Sequence, residues 1–530
     1  MLTNSILTIT TFVPTAGAVV VALLPRKGRV IQWWTLLVAL ATFVLTLHLP
    51  AHFVYGQPGF QFEENYSWIT HPAIRYHLGV DGLSMWLVVL SGFLSVIGAL
   101  ASWNAIERRT KEFYFLFLIQ QTSIIGVFMA LDMFLYYGFW ELSLVPMAIL
   151  IAMFGSTERG SKTALKFFSY TFIPSALFLV AILWMYSKTG TFDFVEMQRA
   201  LTTNPSLFSP QALWWVTLAF LVAFAVKVPV FPLHGWLSDT IYEAPVAMAM
   251  VVAGKLGLYS IIRYVLGLFP AQARTFAPLM IALAVIGILY GACVALAQTD
   301  VRRLVSYAML SALSFATLGI FGLSVSGLDG AVYQTLNEGI SGSAFLILVA
   351  FLHERYGTYE IKQYGGLAAR LPNMATFYVI TGLSLAGLPI LNGFVGEFLV
   401  LSGTFAQHWR WVFFGTLGVI LGAAYLLWMV QRIFYGPQSS LVINSPAPDI
   451  LGCEYAALVP MVILMFCMGV FSPYWMRAIN DGVAGLADQA LHATSTVTNP
   501  TLAEKRRTPH RTSFAFSPRS FSPLPVCSSC

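Results

Sequence analysis

Four ionisable residues stand in stretches of sequence too apolar to hold them by accident. Glu141 lies in LYYGFWELSLVPMAIL, Lys227 in LVAFAVKVPVFPLHGW, Lys255 in APVAMAMVVAGKLGLYSIIRYV and Glu397 in GLSLAGLPILNGFVGEFLVL. An ionised side chain at the centre of a bilayer costs about 2.5 to 3.5 kcal/mol even on a lenient insertion scale. Carboxylates and amines each gain or lose one proton, so alternating acidic and basic stations allow a proton to cross without any group staying a buried ion. Two stations adjoin helix breakers. Pro229 and Pro232 follow Lys227, while Gly387, Pro389, Gly393 and Gly396 precede Glu397. A span interrupted by Pro or Gly beside an ionisable residue is the sequence mark of a transport site, because the freed backbone groups can face a cavity. Burial favours the neutral form of Lys227 and a carboxylate such as Glu141 favours the charged form, so moving that carboxylate switches the lysine between holding and releasing a proton.

Each charge also has a plainer account as part of an ion pair stitching helices together. Glu338, in LNEGISGSAF, is a further titratable group inside an apolar segment. Arg263, nearer a segment end, reads as snorkelling to the interface. Lys166 lies one turn into its segment and suits either the interface or a water-filled uptake route. His234, Asp239 and Glu243 lie at the broken end of the segment of Lys227, where a wet loop and proton uptake are both open.

The elements that must position these residues are membrane helices. Of 530 residues 58% are hydrophobic and only 10% are charged, and mean hydropathy is +0.74. Soluble domains carry roughly 25% charged residues, so soluble enzyme folds are excluded. The apolar stretches are continuous runs, which excludes an outer-membrane barrel. They divide into about fourteen segments: 3–24, 30–50, 80–102, 112–131, 133–155, 164–187, 211–236, 244–268, 276–298, 302–325, 331–352, 373–403, 410–434 and 456–476. The expected fold is an all-α polytopic membrane protein with segments 7 and 12 discontinuous. Breaks five segments apart imply two five-helix repeats, segments 4–8 and 9–13, of inverted topology. The expected organisation is three N-terminal helices in 1–111, repeats in 112–268 and 276–434 that each form a proton half-channel, a C-terminal helix in 435–480 and a disordered tail in 485–530, where Ser, Thr, Pro and Arg dominate.

Fifteen Lys and Arg residues, among them Arg26, Arg108, Arg159, Arg302 and Arg355, fall in connections after odd-numbered segments, against five after even-numbered ones: Arg75, Lys188, Arg199, Arg274 and Arg410. The positive-inside rule then places odd connections in the cytoplasm and both termini on the other side. The +6 net charge records this topology and implies no nucleic-acid partner. Of five cysteines, Cys527 and Cys530 form a lone C-x-x-C at the chain end. Without a second pair, a four-cysteine cluster or a haem-attachment motif, no metal or electron carrier is expected.

The motifs FWELSLVPM, AFAVKVPVFPLHGW, the AGK before Leu256, AQTDVRRLVSY and GLPILNGFVGEF closely resemble the subunit M (chain 4) family of NADH-quinone oxidoreductase, respiratory complex I. The resemblance spans about residues 1–480, and the glutamate at 397 favours this family over its siblings, which carry a lysine there. It implies fourteen transmembrane helices in paired inverted repeats, with Glu141 as modulating carboxylate, Lys227 as central proton carrier, Lys255 as connecting lysine and Glu397 as exit residue. It further implies membrane-arm neighbours, the antiporter-like subunits L and N, in the cell inner (plasma) membrane. NADH, FMN, iron-sulfur clusters and quinone would belong to partner subunits, with no cofactor here. Where the family commonly has histidines this chain has Ala312 and Glu338, and where it has a proline this chain has Ser238. Rival readings are a subunit of a multisubunit Na⁺/H⁺ antiporter or membrane-bound hydrogenase, a structural scaffold and a polytopic glycosyltransferase. The last would need an acidic metal-binding pair on a long loop, which Glu63, Glu64, Asp193 and Glu196 are not spaced to provide.

Overall fold

A computed structural model of the chain describes residues 5–25, 29–57, 59–252 and 255–492. Among these, twelve helices are long and apolar enough to cross a membrane. Met85–Ala101 is a further apolar helix of 17 residues. Asn392–Phe434, at 43 residues, leaves helical geometry at His408 (φ −138°). At 1.5 Å per residue such a helix would run roughly 64 Å, about twice the hydrocarbon thickness. It is therefore two spans meeting at His408, and the described helices account for all fourteen segments.

The chain opens with α1 (Ile6–Leu23) and α2 (Val30–His52), then a hairpin of β1 (Gln61–Ile69) and β2 (Ile74–Val80). There follow α3 (Met85–Ala101), α4 (Thr110–Met129), α5 (Met133–Leu142), α6 (Leu144–Phe154), α7 (Gly160–Thr189) and α8 (Phe194–Thr203). Next come α9 (Pro210–Lys227), α10 (Leu237–Glu243), α11 (Val246–Val252), α12 (Lys255–Ser260), α13 (Pro270–Ala297) and α14 (Val301–Phe321). The rest comprises α15 (Val325–Asn337), α16 (Ser343–Tyr356), α17 (Pro372–Leu385), α18 (Asn392–Phe434), α19 (Ser440–Asn444), α20 (Gly452–Val470) and α21 (Ser472–His492). Side-chain caps set several starts: Asp132 accepts from Phe134 N and Leu135 N, Asp300 from Arg303 N and Ser324 from Gly327 N. α13 packs along α14 and α15 along α18. α15 and α16 are buried from Gly327 to Leu352, whereas α7 turns Leu165, Ile173, Leu177 and Val180 outward. The outward apolar rows are the faces lipid solvates.

Three sequence-based expectations change. Residues 485–492, assigned to a disordered tail, continue α21, whose Ala478, Ile479, Val483, Ala487 and Ala490 form a buried stripe against α13 and α15. Composition hid that stripe because its residues are small. The remainder of the expected tail, with Cys527 and Cys530, lies outside the described residues. Arg263 does not snorkel: it is buried and paired through Nη2 with Asp81 Oδ1 at 2.5 Å, while Nε donates to Tyr259 Oη at 3.2 Å. The connection at 51–79 contains the antiparallel hairpin, pairing Tyr66 with Tyr76.

Hydrogen bonds tie that hairpin to the helix of Glu141. Leu131 N donates to His77 O (2.9 Å), Arg75 N to Asp132 Oδ2 (3.0 Å) and Phe194 N to Leu131 O (2.8 Å). His77 Nδ1 meets Asp193 Oδ2 and its Nε2 meets Glu63 Oε2. Burial opposes the imidazolium, but the hydrogen bonds and charges of Asp193 and Glu63 outweigh it and hold His77 above its usual range. Burial likewise opposes the Asp193 carboxylate, and His77 with the Glu196 N–H overcomes it and holds Asp193 low. The raised histidine contributes stability that is complete below its unfolded value, about 6.5, and lost as pH rises through the folded value. The lowered aspartate contributes above about 3.9 and loses its effect as pH falls through its folded value. Replacing His77 by Gln is expected to cost about 3 kcal/mol between these limits, with the deficit shrinking at alkaline pH, as read from thermal unfolding of the solubilised protein across pH.

Candidate functional site

Glu141 sits in the last turn of α5, just before the chain leaves α-helix at Ser143 and restarts as α6 with Pro146 near its beginning. Ser175 of α7 donates its hydroxyl to Glu141 Oε1. Lys227 is the last residue of α9 and is 9% exposed. Its ammonium lies 5.2 Å from the centre of the Trp140 ring and 5.9 Å from that of Phe167, an arrangement in which ring faces stabilise a desolvated cation. Glu141 is the carboxylate whose field reaches it. Pro229 and Pro232 occupy the non-helical run 228–236 that separates α9 from α10. The exposed carbonyl end of α9 is met by Trp236, whose Nε1 donates to Val226 O at 3.0 Å. The end of α10 is held by Arg302, which donates to Ile241 O (3.0 Å) and to Tyr359 Oη (2.5 Å). A guanidinium at helical carbonyls satisfies both their lone pairs and the helix dipole.

Lys255 is the first described residue of α12 and donates from Nζ to Met250 O at 2.6 Å. Its stem lies against the π-helical turn Glu338–Gly342 that follows α15: a Cβ at Gly339 would stand 3.1 Å from Lys255 Cε. Glycine there lets the lysine reach the neighbourhood of Glu338, with which it interacts electrostatically. Glu338 begins the π-helical turn Glu338–Gly342 between α15 and α16, is 1% exposed, and its Oε1 has no hydrogen-bond partner. Glu338 and Glu397 line one cavity of about 20 Å³, together with Ser311, Ala312 and Tyr425. That volume holds one water, which needs about 10 to 15 Å³.

The break before Glu397 spans 386–391, between α17 and α18. Pro389 lies inside it. Gly393 does not: it is the second residue of α18. Two residues of the break have positive φ, Gly387 (+71°) and Ile390 (+84°), and a Cβ at Gly387 would also stand 2.6 Å from Glu397 Oε2. Neutral groups pin the break. Asn392 Oδ1 accepts from Ser384 Oγ (2.6 Å), its Nδ2 donates to Ser341 Oγ (3.1 Å), and Asn337 Nδ2 donates to Asn392 O (2.9 Å). Sequence reading missed this network because uncharged amides and hydroxyls in an apolar run do not stand out. The signal available was asparagine directly after a Gly/Pro-rich break.

Lys166 is not joined to the buried stations. It pairs with Asp239 at 2.7 Å, and Arg303 approaches the same carboxylate at 3.7 Å. All three line an open cleft of about 600 Å³, where Glu243 accepts from Thr157 N at 2.8 Å and Thr157 Oγ1 at 2.5 Å. His234 lies in the run between α9 and α10, stacked near Phe231 (5.4 Å) and Tyr290 (5.0 Å), with its Nδ1 buried and unpartnered. Ser238 accepts from Ser306 Oγ at 3.0 Å.

Residues 130–422 match the family described as NADH:quinone oxidoreductase/Mrp antiporter, transmembrane, and residues 9–131 match the amino terminus of NADH-ubiquinone oxidoreductase chain 4. NADH-quinone oxidoreductase subunit M of Rickettsia typhi is 36% identical over 480 residues, which cover 89% of this chain and 96% of that protein. The chain belongs to the subunit M (chain 4) family of NADH-quinone oxidoreductases. A chain in the structure of respiratory complex I from Thermus thermophilus with bound NADH superposes with a TM-score of 0.83 at 29% identity, covering 92% of this chain and 100% of that one. A chain of the Mrp complex from Dietzia sp. DQ12-45-1b shares the fold, with a TM-score of 0.79 at 19% identity over 92% of this chain and 98% of its own. Ala312 forms one side of the Glu338 and Glu397 cavity, where a methyl group leaves room for water. Gly387→Ala is expected to lose about 1 kcal/mol or more of stability, since alanine is strained at this φ, and to displace Glu397. Thermal unfolding and NADH-driven proton uptake of membrane vesicles measure the two effects.

Proposed function

We propose that this chain is a proton-translocating membrane-arm subunit of complex I, in which Glu141, Lys227, Lys255, Glu338 and Glu397 form the relay. The observation that carries the reading is the continuity of its second half. Lys255 lies against the turn that Glu338 begins, and Glu338 shares a water-sized cavity with Glu397. Glu141, held by Ser175, tunes Lys227 by its field. A change in the position or charge of that carboxylate loads or unloads the lysine. The proton then passes to Lys255, on to Glu338, and through the water at Ala312 to Glu397. The cleft of Lys166 and Asp239, with His234 behind it, is the uptake side.

The chain supplies no electron chemistry of its own in this reading, which makes it the translocase part of an oxidoreductase. NADH oxidation and quinone reduction, with FMN and iron-sulfur clusters, belong to partner subunits. The neighbours are the other membrane-arm subunits, L and N, in the inner membrane, with both termini on the non-cytoplasmic face. Moving one proton against 100 mV costs about 2.3 kcal/mol, so a distant redox step has to shift the charge near Glu141. The Na⁺/H⁺ antiporter alternative shares the fold, while the relationship across nearly the full length is to the quinone oxidoreductase subunit.

Lys227→Ala in the assembled complex is expected to abolish NADH-driven proton uptake by inverted vesicles, and Glu338→Gln to slow it about tenfold, one factor of ten being about 1.4 kcal/mol of barrier. Undiminished uptake in Lys227→Ala would overturn the assignment.

A further inference from the structure

A second cavity reaches Lys255 from α3 and α4. Its volume is about 20 Å³, and its polar lining consists of Ser91, Ser95, Gln120, Gln121 and Lys255. Both glutamines are buried, at 4% and 3% exposure. Among the described residues, neither amide atom of Gln121 nor Oε1 of Gln120 has a hydrogen-bond partner. Ser91 and Ser95 each donate to a helix carbonyl one turn back, at 2.7 and 2.8 Å, which leaves their oxygens free to accept. Among the described residues Lys255 Nζ has one hydrogen-bond acceptor, Met250 O, for its three N–H groups.

Leaving three amide atoms unpaired in a helix bundle is costly, since each buried polar group without a partner loses its hydration. The rest of the lining is apolar, from residues such as Leu94, Phe117 and Phe128, and offers no alternative partner. The space between the glutamines and the lysine exceeds the 10 to 15 Å³ or so that a water requires, and it presents the two to four polar groups that hold one. We propose that this cavity holds ordered water bound by Gln120 and Gln121, and that the water takes the place of Glu338 as partner of the Lys255 ammonium whenever Glu338 is protonated.

The need for such a partner follows from charge. When Glu338 carries a carboxylate, the ammonium has a counter-charge. When Glu338 has taken the proton that Lys255 hands on and Lys255 is reloaded from Lys227, that counter-charge is absent and Lys255 stands ionised in hydrocarbon. Water oxygen accepts from the spare N–H groups, and the water in turn donates to a glutamine Oε1 and accepts from a glutamine Nε2. Amides do not titrate here, so the positive charge stays on the lysine and its water. Lys255 can then remain loaded through both protonation states of Glu338, which lets the two halves of the relay change state one after the other. Gln120 and Gln121 are positioning residues in this scheme, acting through the water.

The inference rests on the reading of Lys255 as a proton station, and its tests separate the two. A high-resolution cryo-EM map of the intact wild-type complex is expected to show water within hydrogen-bond distance of Gln121, and an empty cavity overturns the proposal. The double variant Gln120→Leu/Gln121→Leu, in the intact complex, is expected to slow NADH-driven proton uptake at least fivefold and to remove buried-water O–D bands from infrared difference spectra. Gln121→Asn keeps an amide at the cavity and should retain more than half of the wild-type uptake. Wild-type uptake in the double variant, with Lys255→Ala inactive, overturns this inference and leaves the relay standing. Wild-type uptake in Lys255→Ala overturns the relay and this inference with it. Should the double variant fail to assemble, the wild-type map decides.

Discussion

The structure is governed by the cost of an ion in hydrocarbon. At about 2.5 to 3.5 kcal/mol or more for each charge near the bilayer centre, a chain with several must give each a partner, a water or a means to become neutral. The means used repeatedly is interruption of helical geometry beside the charge. Glu141 lies next to the gap between α5 and α6, Lys227 ends α9, Glu338 starts a π-helical turn, and Glu397 follows the break at 386–391. At each such place backbone polar groups leave the helical ladder, and the local environment becomes less like lipid.

An interruption creates its own problem, because freed carbonyls and amides also need partners. Uncharged donors and acceptors meet most of that demand. Trp236 donates to Val226 O at the end of α9, and Asn337 donates to Asn392 O beside the break before Glu397. Arg302 is a charged donor of the same kind at the end of α10, where it donates to Ile241 O and Ala244 O. Arg263 and Asp81 neutralise each other, and Arg355 and Glu454 do so at 2.6 Å between α16 and α20. These structural charges are thus paired, whereas Glu338 keeps an unpartnered oxygen and shares a cavity with Glu397, and Lys255 lines a cavity of its own. That division separates glue from mechanism in a bundle where both are buried.

Much of this was legible in the order of residues. Apolar runs punctuated by charge give the fourteen segments because a bilayer demands about twenty apolar residues per crossing. Pro229, Pro232 and Pro389 mark breaks because proline cannot donate within a helix. The motifs around Glu141, Lys227 and Glu397 carried the family. Less visible were α21, whose buried stripe is mostly alanine, and the hairpin, whose strands lie in a polar connection. Gly393 was misplaced as a breaker because a sequence does not say which of several glycines adopts positive φ; the structure gives that role to Gly387.

By itself the sequence determined the solvent, the crossings and the family, and singled out the ionisable residues within apolar segments, because these depend on residue type and spacing along one chain. Tertiary structure alone decided which of those residues meet. Glu338 lies about sixty residues before Glu397 and more than eighty after Lys255 in the chain, and packing of α15 against α18 and α12 brings them together. Tertiary structure alone also decided where water has room, at Ala312 and beside Gln120 and Gln121. A cavity is the space left by several helices at once, and no single stretch of sequence records it.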